Sequence, residues 1–255
     1  MSEEKKEIIS GEAEKKQDLP LIFNSLERAT KLWWKHLKSF ILIYLEGLKL
    51  ALIPIVIFIS VVVMDLKLFG DRFSLAWLDL ALFAISFLLI FYFLLRSEIA
   101  IFLFIKNDFK GEVKTLFKET RSLFWPYFWL GLLTFVLIVL WTLLLIIPGL
   151  IFSAYYVFAV YAFISEGKRG WSAISRSKSL VKGYFWPIFG RFIFFLILAY
   201  LLGSIVDMPQ SALNKDSAMF EAWNLIEQII VMLVAPIFII FFYEAYHFLV
   251  KNKKR

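Results

Sequence analysis

Apolar residues in this chain gather into long runs rather than alternating with polar ones. The runs cover 40–64, 75–105, 126–147, 148–165, 187–206 and 223–250. A helix rises about 1.5 Å per residue and bilayer hydrocarbon is about 30 Å thick, so about 20 apolar residues cross it. The fourth run is short, and only Pro148-Gly149 separates it from the third. It gains length if its helix starts at Pro148, because proline is tolerated in a first turn. The pattern predicts an all-α fold, a polytopic transmembrane bundle of about six spans.

The polar segments leading into the outgoing spans carry a second pattern. Leu26, Thr30, Trp33, Leu37 and Phe40 recur at helical spacing among Arg28, Lys31, Lys35 and Lys38. Phe109, Val113, Leu116 and Phe117 do so beside Lys110, Lys114 and Lys118, and Trp171, Ile174 and Val181 beside Arg176, Lys178 and Lys182. Basic amphipathic helices of this kind lie in the headgroup plane, apolar face toward the acyl chains. Packing against one another as ordinary cytoplasmic helices is the alternative. Trp33, Trp34, Trp125, Trp171 and Trp186 fall where indoles anchor a protein at the interface.

The six spans are then expected as three hairpins, each preceded by a basic interfacial helix. The last two junctions resemble one another: Phe104-Ile105, Gly111 and Phe124-Trp125-Pro126 match Phe163-Ile164, Gly170 and Phe185-Trp186-Pro187. The first unit has Trp33-Trp34 and no proline. Internal repeats are common in transporters but not confined to them.

Charge gives the expected orientation. Lys and Arg crowd the segment before the first run, the second and fourth connections, and the end of the chain. The other three connections hold only Lys67, Arg72 and Lys215. By the positive-inside rule the chain is a multi-pass protein of the cytoplasmic membrane with both termini inside. Residues 1–20 are expected as a disordered cytoplasmic tail without the apolar core of a signal peptide, 21–250 as the membrane domain, and 251–255 as a basic tail. Composition agrees: 61% of the 255 residues are hydrophobic, 19% are charged, and the mean hydropathy is +0.76. The net charge of +7 and pI near 9.4 are read as loops facing anionic inner-leaflet lipid rather than nucleic acid. There are no cysteines, which removes disulfides and thiolate sites.

Several short motifs together point to a family. Ile147-Pro148-Gly149, Ser165-Glu166-Gly167, Ala173-Ile174-Ser175-Arg176-Ser177 and Leu180-Val181-Lys182-Gly183 resemble the membrane domain attached to some bacterial glycerophosphoryl diester phosphodiesterases, and related six-span bacterial membrane proteins. The likeness is clearest over 125–206. It implies a bacterial polytopic membrane protein and not a catalytic activity, since the phosphodiesterase chemistry of such enzymes lies in a separate soluble barrel. With only short tails outside the membrane, the chain is expected to lack that barrel.

Catalytic patterns are scarce. His36 and His247 are the only histidines, and no H-E-x-x-H, phosphate-binding loop or G-x-S-x-G occurs. The expectation is a non-enzymatic protein with no cofactor or metal. Ionisable residues within spans are costly and are the candidates for function. Glu46 and Lys49 stand three apart on one helical face and are expected to pair. Arg96, Glu98, Arg191, Glu244 and His247 fall toward the same leaflet, so one polar cluster suited to a lipid headgroup or small anion is expected; snorkelling to the interface is the competing reading. Gly47, Gly131, Gly190 and Gly203 are candidates for close helix approach, and Pro54 and Pro236 for kinks. The function expected from these features is action on or within the lipid phase, as a scaffold, a membrane sensor or a passage for lipid or anions. A secondary transporter or permease subunit is the alternative, and a membrane-embedded hydrolase or transferase ranks below both. The partners expected are anionic inner-leaflet lipids, with a membrane-protein partner or a second copy left open.

Overall fold

A computed structural model describes residues 19–69, 76–210, 213, 215 and 217–253. The expected disordered tail lies almost wholly outside them, as do Lys254 and Arg255 of the basic tail. The protein is all-α, with no strand among the described residues. Its helices are α1 (Ile22–Phe69), α2 (Ala76–Lys106), α3 (Val113–Leu144), α4 (Ile146–Tyr156), α5 (Ala159–Glu166), α6 (Trp171–Val181), α7 (Phe185–Asp207) and α8 (Ala218–Lys253). Taking α4 and α5 together, six stretches among the described residues are long and apolar enough to cross a membrane, as a multi-pass protein requires.

The entry helices differ from expectation. Segments 21–39 and 107–123 are not separate surface helices: α1 runs unbroken for 48 residues and α3 for 32. At about 1.5 Å per residue α1 is about 72 Å long, far more than hydrocarbon thickness, so much of it projects beyond the apolar layer. No glycine or proline interrupts α1 between its polar and apolar halves, and hydrogen bonding carries through. Only α6 is a separate entry helix, because Gly183 takes a positive φ of 91° and turns the chain before α7. Pro187 therefore sits in a first turn, whereas Pro126 of the similar junction lies inside α3.

The fourth span is also interrupted. Leu145 is extended (φ −164°, ψ 142°) and separates α3 from α4, with Pro148 in the first turn of α4. The helix then breaks at Val157-Phe158 before α5 begins.

Packing is uneven along the bundle. At the end carrying Ile22 and Lys253, hereafter the terminal end, residues 99–105 of α2, Ala159 and 161–164 of α5, and Ile174, Leu180 and Val181 of α6 are buried. Phe241, Phe242, Tyr246 and Leu249 of α8 close the same core, which α1 joins through Phe40 and Ile43. The rings of Phe40, Phe104 and Phe109 meet there edge to face. At the opposite end Ile53, Ile57, Phe83, Phe87, Leu143, Leu201 and Ile229 are exposed. Outside a soluble setting that exposure is expected of lipid-facing surface, where tails are as apolar as leucine.

Most of the apolar stripe residues of the basic helices pack against this core, while Trp171 stays exposed. Ala173, Ile174, Ser177, Leu180 and Val181 of α6 face protein, as do Leu116 and Phe117 of α3 and Ala29 and Phe40 of α1. The alternative of ordinary packed helices therefore describes them better than apolar faces laid on lipid. Of the glycines expected at close approaches, only Gly47 makes one: a Cβ there would collide with Ser97 Oγ of α2, while Gly131, Gly190 and Gly203 face open space.

Candidate functional site

The expected polar cluster does not assemble. Among the described residues no ion pair joins Glu46 to Lys49; Glu46 is half-buried and Lys49 is exposed. Arg96 turns toward α3, where Nε donates to Thr120 Oγ1 (2.8 Å) and Nη2 donates to the Phe117 carbonyl. Its guanidinium also lies 5.4 Å from the Tyr92 ring centre and 5.6 Å from that of Phe117. Arg191 is 3% exposed and donates to the carbonyls of Pro187 (3.1 Å) and Pro20, tying α7 to the entry of α1. Glu244 lies 3.8 Å from Arg28, and His247 is exposed near the Tyr243 ring. Arg96, Arg191 and Glu244 thus each join a different pair of segments rather than one another.

Glu98 is different. The residues around it in sequence, Ser97, Ile99 and Ala100, are buried, yet Glu98 keeps accessible surface. Its carboxyl is within hydrogen-bonding reach of the Tyr127 hydroxyl of α3. Tyr161 donates its own hydroxyl to the Ile239 carbonyl (3.1 Å).

The anchors divide as well. Trp33 is partly buried and its indole N–H donates to the Leu233 carbonyl (2.8 Å), in the turn of α8 whose pairing Pro236 weakens. Trp34, Trp125, Trp171 and Trp186 are exposed, the last by 73%. These four remain available to an interface.

Two polar networks escaped the reading of spans because they join segments far apart in sequence. The Ser177 hydroxyl of α6 donates to the Tyr155 carbonyl (2.6 Å) and accepts the Phe158 N–H (3.1 Å), so it satisfies both backbone groups freed by the break between α4 and α5. Glu166 of α5 takes Arg176 Nε on both oxygens (3.0 and 2.8 Å) and the Tyr246 hydroxyl on one (2.9 Å), which links α5, α6 and α8. Gly167 ends α5 in the left-handed region (φ 68°). Glu166, Gly167, Arg176 and Ser177 all belong to the motifs that carried the family resemblance, and their work here is to hold helices together. A polar residue inside an apolar stripe of α6, as Ser177 is, was the available signal for the first network.

Comparisons with protein-family models, curated proteins and solved structures return no match for the chain.

Proposed function

We propose that this is a non-enzymatic protein of a bacterial cytoplasmic membrane, with both termini in the cytoplasm, that acts on or within the lipid phase by engaging anionic inner-leaflet lipid at its terminal end. The observation that carries the reading is the division of labour in the basic helices. Their apolar faces are spent mostly on the protein core, which leaves Arg28, Lys31, Lys35, Lys38, Lys110, Lys114 and Lys118 exposed at one end together with Trp34. A packed layer presents these groups without ordering them anew on each lipid encounter. Cations near an anionic surface gain about 1 kcal/mol each, and indoles favour the headgroup level. The asymmetric placement of Lys and Arg supports the orientation, and the motifs resembling the bacterial six-span family support the compartment.

The purified protein in nanodiscs tests this. Thermal stability is expected to be higher with phosphatidylglycerol than in wholly neutral lipid, and the gain should shrink with salt. Replacing Lys31, Lys35, Lys38, Lys114 and Lys118 by Gln should abolish the gain. Equal stability in both lipids would overturn the proposal. A secondary transporter or permease subunit is the second reading, favoured by the interrupted fourth span, since broken helices line substrate paths in many transporters.

A further inference from the structure

The polar half of α1 carries an open groove of about 380 Å³, lined by Thr30, Lys31, Trp33, Trp34 and Lys35. Two indoles and one short side chain shape it. Trp33 is drawn toward α8 by its bond to the Leu233 carbonyl (2.8 Å), whereas Trp34 turns outward and is 70% exposed. Their rings stand 5.8 Å apart, inclined at 52°. Thr30, one turn before Trp34, folds its hydroxyl back on the carbonyls of Leu26 (3.0 Å) and Glu27 (2.9 Å), so it takes up little of the space.

Cations border this groove. Lys31 and Lys35 stand one turn apart on the same helical face, and Lys38 continues the exposed positive charge. Lys31 gives one N–H to Glu27 Oε1 (2.6 Å), which leaves two of its three donors. Among the described residues Lys35 forms no ion pair and the Trp34 indole N–H makes no hydrogen bond. A metal ion or an ammonium group is repelled by such a set. A carboxylate offers two oxygens in one plane, whereas the oxygens of a phosphate are arranged tetrahedrally and face two ammonium groups and an indole N–H at once. The volume falls in the range of about 300–1,000 Å³ that suits small ligands rather than a folded partner.

We propose that this α1 groove binds a phosphate group, carried by a phospholipid headgroup or free in solution. Lys31 and Lys35 supply the charge, Trp34 an N–H donor, and the two indoles an apolar wall for carbon attached to the phosphate. In its lipid form the proposal rests on the engagement of anionic lipid argued above, and it confines that engagement to one place on α1.

The full chain in maltoside detergent, titrated calorimetrically with sodium phosphate against sodium chloride at equal ionic strength, tests the free-phosphate arm. Native mass spectrometry after reconstitution with phosphatidylglycerol tests the lipid arm. Saturable phosphate binding without retained phosphatidylglycerol assigns the groove to soluble phosphate, and retained phosphatidylglycerol assigns it to the headgroup. The double variant Lys31→Gln, Lys35→Gln should weaken either by about tenfold or more. Lys114→Gln with Lys118→Gln on α3 removes the same charge and should weaken it by less than about threefold, since only distant attraction is lost. Trp34→Ala keeps both cations and should also weaken lipid retention. Gel filtration and thermal unfolding show that each variant is folded. Equal losses in the two double variants overturn the groove and leave a diffuse attraction to anionic lipid standing. No saturable binding in either arm, binding unchanged in the α1 double variant, or retention unchanged in Trp34→Ala likewise overturns it. Equal nanodisc stability in anionic and neutral lipid would remove the broader reading as well.

Discussion

Ser177 shows how much one uncharged residue decides in this protein. It is fully buried and serves both sides of a helix break with a single hydroxyl. Ser177→Ala leaves the Phe158 N–H and the Tyr155 carbonyl without that partner, and each unsatisfied buried group costs about 1–3 kcal/mol. Thermal unfolding in detergent should show a clear loss of stability, and an unchanged midpoint would mean that the break does not depend on the latch. Lys49 teaches the opposite lesson. Its spacing from Glu46 satisfied the rule for a helical pair, but the structure leaves it exposed and unjoined to Glu46. A long flexible side chain loses entropy on pairing, and reaching toward the interface is the competing outcome.

Among elements, the similar junctions before α3 and α7 show what local sequence carries. Gly111 and Gly170 occupy equivalent places and both take positive φ, 122° and 49°, so the turn chemistry recurs. The helices beyond these turns differ: α3 passes through its Phe-Trp-Pro without a break, while Gly183 separates α6 from α7. The separate α6 is free to dock against α4, α5 and α8, with Arg176 bonded to Glu166 of α5 and Ser177 to the break between α4 and α5. Arg191 performs a similar joining task for α7 and the entry to α1. Arg191→Met removes charged hydrogen bonds worth about 1.5–3 kcal/mol each but also relieves the several-kcal/mol cost of a buried guanidinium. The two effects offset, so global stability should change little. Amide exchange at residues 21–25 should instead quicken several-fold, and unchanged exchange there would deny Arg191 its tethering role.

At the scale of the whole molecule, one end is a protein core and the other a set of apolar helices awaiting lipid. The absence of cysteine makes the topology directly measurable. Single substitutions Lys35→Cys, Lys118→Cys and Lys182→Cys should react with an impermeant thiol reagent from one side of sealed vesicles, and Lys215→Cys from the other. Labelling of all four from one side would rule out six crossings in this order. The same asymmetry explains why the spans were legible and the candidate cluster was not. Apolar runs declare themselves residue by residue, whereas convergence of charges depends on helix rotation, which small-residue contacts such as Gly47 against Ser97 set.

The sequence by itself determined the helical class, the six apolar stretches and the one-sided distribution of cations, because each follows from local length, hydropathy and charge. It also supplied the turn glycines. Tertiary structure alone decided that the basic helices bury most of their apolar faces in protein, that Trp33 turns inward to the α8 backbone, and that Glu166 joins Arg176 and Tyr246 from two other helices. Those outcomes depend on which faces meet across distant segments, and an amphipathic stripe has the same pattern whether it lies against lipid or against a neighbouring helix.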